Sequence, residues 1–123
     1  MNLQNLRLLF EEELNQVKVF EAQSGVIALN CLMKEKVDLI ILDVQMAQMD
    51  GFETAKFIRS RKKSQNIPII FLTAAYKSDD FKRKGYELGA CDYITKPIDS
   101  DPFIKKIKDY LHRIQQGETL VAV

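Results

Sequence analysis

The chain has 123 residues, of which 46% are hydrophobic, so it is long enough for one ordinary core and too short for two domains. Its 18 basic residues nearly balance its 17 acidic ones, and a net charge of +1 supplies no field that would attract nucleic acid or an anionic membrane. Because no apolar run approaches the roughly 20 residues that span a bilayer, we predict one soluble domain over residues 1–123, located in the cytoplasm.

The first half of the chain alternates amphipathic and apolar segments. Leucine and phenylalanine recur at helical spacing over residues 2–15, which predicts a helix whose solvated surface carries Glu11–Glu13. Residues 17–22 alternate like a strand, and Ser24 is a suitable cap for the helix that follows. The nearly continuous apolar run over residues 37–42 predicts a strand that is covered on both faces, as in a parallel sheet.

The second half continues this alternation. An apolar stripe beginning at Phe52 predicts a helix that ends in a basic segment, residues 59–63, which we expect to be a solvated connector. Gly89 stands where a helix needs a left-handed C-terminal residue. The remaining predicted elements are strands at 68–74 and 91–95, a helix from about 78 to 88, and a final helix with an apolar face from Phe103 to Ile114.

Strands that alternate with helices predict a parallel sheet joined by right-handed crossovers. We therefore expect an α/β fold, a three-layer sandwich in which helices cover both faces of the sheet. In open sheets of this kind, ligands and chemistry collect at the carboxyl ends of the strands.

Three of the predicted strands end in residues whose chemistry belongs together, namely Asp43, Thr73 and Lys96. A carboxylate beside an ammonium group and a hydroxyl is suited to accept a phosphoryl group. Lysine can balance the added negative charge, and threonine can donate a hydrogen bond to a phosphate oxygen. Carboxylates also act as nucleophiles in other phosphoryl transfers. The three positions are predicted to form one site.

Three segments carry a resemblance to a known family: residues 43–51 (DVQMAQMDG), 71–75 (FLTAA) and 89–97 (GACDYITKP). They are similar to the motifs of CheY-like receiver domains of two-component response regulators, and the likeness runs over about residues 2–115. The resemblance implies a flavodoxin-like receiver fold and a phosphorelay function. A histidine kinase or a phosphotransfer protein would phosphorylate Asp43, and the domain itself would show at most weak self-phosphorylation and self-dephosphorylation.

The resemblance also assigns roles to residues around the phosphoacceptor. Thr73 matches the hydroxyl residue that changes position after phosphorylation, and Lys96 matches the cation that contacts the phosphate. Tyr93 matches an aromatic switch residue, and Pro97 a proline that shapes the loop holding the lysine. Phosphorylation would change the surface of the family's fourth helix, fifth strand and fifth helix, here residues 78–114, where a partner or a second copy of the chain would bind.

The metal site departs from the family pattern. Receivers begin with an apolar strand that ends in an acidic pair for Mg²⁺, whereas the likeness here starts at the first helix. Glu11–Glu13 cannot replace that pair, because they lie well inside a helix rather than at a strand end. We therefore expect Mg²⁺ to bind weakly, to the Asp43 carboxylate and the backbone carbonyl of Gln45, with phosphate and water completing its coordination.

The tail, residues 119–123, is apolar and β-prone. A parallel sheet without its central strand would expose two strand edges and lose part of its core. We therefore predict that the tail supplies this strand, either within one chain or by exchange between the two chains of a homodimer. The alternative is a tail that lies outside the sheet.

Two functions from different classes remain open. The first is a phosphorylation-dependent receiver, which the presence of Asp43, Thr73, Lys96 and Tyr93 favours. The second is a degenerate receiver-like module that binds proteins independently of phosphorylation, which the missing acidic pair favours. A chain of the first class forms a labile phosphoryl adduct with a small phosphodonor, and a chain of the second class does not.

Overall fold

The computed structural model describes residues 3–14, 17–44, 51–74, 79–96, 98–113 and 119–122. Within these ranges, five helices alternate with five strands. The helices are α1 (Leu3–Glu13), α2 (Gly25–Lys34), α3 (Gly51–Arg59), α4 (Asp79–Glu87) and α5 (Ser100–Arg113). The strands are β1 (Lys18–Glu21), β2 (Leu39–Asp43), β3 (Ile69–Ala74), β4 (Ala90–Lys96) and β5 (Thr119–Ala122). None of the described helices is long and apolar enough to cross a membrane.

The strands form one sheet in the order β1-β5-β2-β3-β4, and every adjacent pair is parallel. Helices α1 and α5 pack on one face, whereas α2 and α3 pack on the other. The predicted three-layer α/β sandwich is therefore confirmed. The Ser24 cap is also confirmed, since its hydroxyl accepts a hydrogen bond from the backbone N–H of Ile27 at 3.2 Å. Ile114, predicted on the last helix, lies outside the described residues.

The tail strand β5 lies in the centre of the sheet. It pairs with β1 on one side and with β2 on the other. At its ends, the backbone N–H of Ala22 donates to the carbonyl of Ala122 at 2.9 Å, and the Asp38 carboxylate accepts from the N–H of Thr119 at 3.2 Å. The tail thus supplies the central strand within one chain, as predicted. The spatial order is that of flavodoxin-like sheets, with the central strand coming last along the chain.

The sequence of strand β2 is apolar without interruption because both of its faces are covered. Leu39 and Ile41 pack against the core beneath α1 and α5, whereas Ile40 and Leu42 pack against the core beneath α2 and α3. All four side chains are fully buried because helices cover both faces of the sheet. The strand is therefore held rigidly up to Asp43, which is its last residue.

The basic segment 59–63 was predicted to be a solvated connector, and Lys62 and Lys63 are indeed exposed, but Arg59 is the half-buried last residue of α3. Its guanidinium donates hydrogen bonds to the carbonyls of Gln65 (2.8 Å), Ile67 (2.8 Å), Leu88 (2.9 Å) and Gly89 (3.0 Å). The side chain therefore joins the turn after α3 to the turn after α4. Gly89 has a φ of 83°, as predicted, and a methyl group there would lie 2.7 Å from the Arg59 Nε.

Candidate functional site

The carboxyl ends of β2, β3 and β4 meet at one edge of the sheet in a staggered register. Asp43 pairs with Leu72, and Lys96 pairs with Ala74. Thr73 lies between these two levels on the middle strand. The parallel sheet therefore brings together the three site residues that the sequence placed at strand ends.

An ion pair joins two of these residues directly. The Nζ of Lys96 contacts the Oδ2 of Asp43, reaching back across β3. The two side chains are 30% and 22% exposed, respectively, so the pair is partly open to solvent. A small anion can therefore reach the pair, and the ammonium group can balance negative charge added at the carboxylate.

Thr73 lies on β3, the strand between those of Asp43 and Lys96, and its hydroxyl is buried. Thr73 is 2% exposed, and its Oγ1 has no hydrogen-bond partner among the described residues. A buried hydroxyl without a partner costs about 1–3 kcal/mol, so such groups are rare in native proteins. This orphaned donor at the sheet edge is suited to an oxygen atom that a ligand or a covalent modification would bring.

Gly51 allows the start of α3 to approach the end of β2. A methyl group at this position would lie 2.5 Å from the carbonyl oxygen of Asp43 and 2.7 Å from the Cα of Val44. The backbone N–H of Gly51 donates to the carbonyl of Val44 at 3.0 Å. A side chain at position 51 would collide with the backbone of Asp43 and Val44, so this close approach of α3 to β2 requires glycine.

Tyr93, predicted as the switch residue, points toward α4 rather than toward Asp43. Its ring stacks on Phe71 with a centroid distance of 5.6 Å and meets the edge of Tyr86 at 5.3 Å. Burial raises the pKa of the Tyr93 phenol to about 12, against the opposing effect of a hydrogen bond to the Gly85 backbone. The ring is therefore held in a partly apolar pocket between β3 and α4.

The described part of the chain contains no cluster of three histidine, cysteine or acidic side chains that could hold a metal ion. Glu11–Glu13 are exposed on α1, as predicted. The site residues that could contribute to Mg²⁺ binding are Asp43 and Gln45, but Gln45 lies outside the described residues, as does Pro97. Since Mg²⁺ in phosphoryl-transfer sites often has one or two carboxylates plus phosphate and water, this donor set fits a weak site.

Sequence reasoning missed a polar cluster that joins β4 to α5. The hydroxyl of Tyr110 donates to Asp92 Oδ2 at 3.0 Å, and Lys106 lies 3.1 Å from the same oxygen. Burial and the hydrogen bond to Asp92 raise the pKa of Tyr110. Lys106 is a partly exposed residue of α5. No local pattern links it to Asp92, because the pairing depends on how α5 packs on the sheet.

Comparison with known proteins identifies the family. A family model described as the response regulator receiver domain matches residues 1–108. Sporulation initiation phosphotransferase F of Bacillus subtilis is 36% identical over 108 residues, covering 86% of this chain and 85% of that protein. The solved structure of chemotaxis protein CheY4 from Vibrio cholerae has a TM-score of 0.76 at 30% identity, covering 87% of this chain and 90% of that chain.

Other relatives are longer than this chain. The transcriptional regulatory protein RprY of Bacteroides fragilis is 36% identical over 115 residues, which cover 91% of this chain and 47% of that protein. The chain spans only 20% of a probable cyclic di-GMP phosphodiesterase from Vibrio cholerae.

A more distant structure adds a likeness in fold alone. It is the receiver domain of the sensor histidine kinase PA1611 from Pseudomonas aeruginosa, with a TM-score of 0.76 at 20% identity, covering 89% of this chain and 87% of that chain. That domain was solved with a magnesium ion coordinated in its active-site cleft. The family match over residues 1–108, together with the five-stranded parallel sheet, shows that this chain belongs to the response regulator receiver domains.

Proposed function

We propose that Asp43 is the phosphoacceptor of this receiver domain in two-component signal transduction. The observation that carries the proposal is the contact between Lys96 and Asp43 at the carboxyl edge of the sheet, with the buried hydroxyl of Thr73 on the strand between theirs. This arrangement favours the receiver over the phosphorylation-independent module, which requires neither the ion pair nor the buried hydroxyl.

The proposed reaction is transfer of a phosphoryl group from a phosphohistidine of a histidine kinase or a phosphotransfer protein. A carboxylate oxygen of Asp43 forms a new O–P bond as the N–P bond of the donor breaks, and the imidazole leaves with the bonding electron pair and takes up a proton. Lys96 balances the charge on the acyl phosphate, and the Thr73 hydroxyl donates a hydrogen bond to a phosphoryl oxygen. In a later step, water attacks the phosphorus, the bond between phosphorus and the Asp43 oxygen breaks, and the carboxylate and inorganic phosphate are released.

We propose that Mg²⁺ assists this reaction from a weak site formed by the Asp43 carboxylate and the Gln45 carbonyl. The ion supplies positive charge that neutralises the phosphodonor. Lys96 supplies part of the same stabilisation from the protein, because its ammonium group already contacts the carboxylate. We expect a high concentration of Mg²⁺ to be needed, since the proposed site has Asp43 as its one carboxylate.

We also propose that phosphorylation acts through Thr73 and Tyr93 on the surface formed by α4, β4 and α5. After phosphorylation, the Thr73 hydroxyl would donate a hydrogen bond to the phosphate. This hydrogen bond would favour the position of the Tyr93 ring that is compatible with it. Pro97 is proposed to shape the loop that carries Lys96. The changed surface would bind a downstream partner, so the output of the domain is an interaction.

Receiver domains are generally phosphoacceptor switches rather than enzymes, and weak self-phosphorylation and self-dephosphorylation are the proposed residual activities.

The 123 residues are proposed to form a single domain in the cytoplasm. Support comes from the sheet, in which β1 from the start of the chain and β5 from its end are neighbours. Both described cysteines are free thiols, which suits a reducing compartment.

Incubation with acetyl phosphate and Mg²⁺ tests the proposed phosphoacceptor function. We expect intact mass spectrometry to show one added phosphoryl group, in which acetate has left and a new acyl phosphate is present. The adduct should be lost on treatment with hydroxylamine, which cleaves acyl phosphates and leaves phosphoserine intact. A folded chain that remains unlabelled over a wide range of Mg²⁺ concentrations would support the interaction module instead.

A homodimer formed by exchange of residues 119–123 is a further proposal for the partner. The slot between β1 and β2 recognises β5 through backbone pairing on both sides, and a tail from a second chain offers the same groups. We expect chains refolded at high concentration to contain a dimer, detected by size-exclusion chromatography with light scattering, that exchanges subunits only after unfolding. A refolded chain that is monomeric at every concentration, or a dimer that exchanges freely while folded, would contradict exchange.

A further inference from the structure

Gly85 lies within the last turn of α4, where glycine is less favourable than alanine. Glycine is a much weaker helix former than alanine, because it loses more backbone freedom on folding. Gly85 is buried and faces β4. A buried glycine within a helix therefore indicates close packing against another group.

That group is the Tyr93 ring. A methyl group added at Gly85 would overlap the hydroxyl oxygen of Tyr93 and would lie 2.6 Å from its Cζ and 3.2 Å from its Cε2. The nearest atoms all belong to one side chain. The glycine therefore creates a notch in α4 that is filled by the end of the tyrosine ring.

The rest of the pocket is aromatic. Phe71 lies under the ring and Tyr86, the residue after Gly85, meets it edge-on. Phe71 is fully buried and contacts Phe52 at a centroid distance of 5.2 Å, so it cannot shift to make room. If the notch were filled, the tyrosine would have to leave the pocket on its open side.

We infer that Gly85 is a positioning residue that seats Tyr93 against α4, and that a side chain at this position displaces the ring outward. The inference deepens the proposed function, because it names the element that sets the position of the proposed switch residue. It predicts that Gly85→Ala changes the domain through Tyr93 and through no other contact.

The seating is tested without any phosphorylation. Chains labelled with ¹³C at the tyrosine Cζ report the ionisation of each phenol by NMR, with the Tyr93 signal assigned from Tyr93→Phe. In the parent chain, the Tyr93 phenol should stay protonated well above its ordinary pKa of 10, toward about 12. In Gly85→Ala it should titrate close to 10, because the displaced ring is hydrated. An unchanged Tyr93 titration in a folded Gly85→Ala chain would overturn the inference.

A double-variant comparison separates seating from a general effect on the helix. In a Tyr93→Ala background the notch is empty, so Gly85→Ala should leave the thermal midpoint unchanged or raise it, since alanine favours the helix. In the parent background the same substitution should lower the midpoint. Equal losses in both backgrounds would show that Gly85 acts on something other than Tyr93. Glu87→Ala, at an exposed position on the same helix, is the matched control and should leave the Tyr93 titration unchanged.

Phosphorylation provides a separate readout. The phosphorylated form is expected to favour the Tyr93 ring in its seat against α4. Gly85→Ala should then lower the phosphorylated fraction at a fixed concentration of acetyl phosphate by roughly tenfold, the factor expected from overpacking the pocket. A parent chain that is not phosphorylated at all would contradict the proposed function and leave the Tyr93 titration as an independent test of the notch. A shifted titration with an unchanged phosphorylated fraction would show that the seat is real and that the ring position is not coupled to the phosphate.

Discussion

Asp43→Asn is expected to abolish the phosphoryl adduct completely. An amide has nearly the shape of the carboxylate, so the strand and its surroundings should stay folded, but its oxygen is too weak a nucleophile to attack phosphorus. The measurement is intact mass after incubation with acetyl phosphate and Mg²⁺. Asp99→Asn is the matched control, because this exposed carboxylate lies just beyond the end of β4 and should not affect labelling. A hydroxylamine-labile adduct that persists in Asp43→Asn would place the phosphoacceptor elsewhere.

Lys96→Ala gives a graded version of the same test. The ammonium group contacts Asp43 and would stabilise the charge that develops during transfer. Loss of one such group slows reactions by about 100-fold, equivalent to about 2.7 kcal/mol. We therefore expect slow labelling rather than none, measured as the initial rate of adduct formation. Lys105→Ala removes an exposed lysine of α5 and should label at the parent rate. Equal rates for the two lysine variants would remove Lys96 from the proposed mechanism.

Deletion of residues 119–123 is expected to abolish cooperative folding. β5 lies between β1 and β2, and its absence would leave both neighbours with unpaired backbone groups inside the molecule. Each unpaired buried group costs about 1–3 kcal/mol, so several of them exceed a typical total stability of about 5–15 kcal/mol. The deletion also removes Val121 and Ala122, which are fully buried in opposite cores. Thermal and urea unfolding followed by circular dichroism would show no sharp transition.

A single substitution, Val121→Asp, also tests whether the fold requires a buried β5. It places an unpaired carboxylate in the core beneath α2 and α3, at a cost of about 3–5 kcal/mol by comparison with broken buried ion pairs. Thr119→Ser, at the half-buried start of the same strand, should unfold at nearly the parent midpoint. If the shortened chain unfolded as cooperatively as the parent, the central position of β5 would not be needed for stability.

The alternation of apolar and amphipathic segments determined the class of fold. Residues 37–42 could be interpreted as a strand buried on both faces because an apolar run without alternation fits only that environment. Asp43 follows from the same run, since a parallel sheet presents its strand ends at one edge. The tail was assigned to the central position by a packing argument, because a sheet cannot leave a gap between two strands.

The contacts that decide how the site works could not be deduced from local patterns. Arg59 donates hydrogen bonds to carbonyls up to 30 residues away. The basic residues that follow it in the chain do not indicate these contacts. Gly85 is one glycine among five, and its importance appears only when Tyr93 is packed against it.

The sequence by itself determined which residues stand at the strand ends and therefore which chemistry is present, because the pattern of apolar and polar residues is a property of each segment alone. Only the tertiary structure decided that Lys96 reaches across β3 to Asp43, that the buried Thr73 hydroxyl has no partner among the described residues, and that Tyr93 is seated against α4. These contacts depend on strand register and on the depth to which helices pack on the sheet. Both are set by the balance of many weak interactions between segments that are distant along the chain.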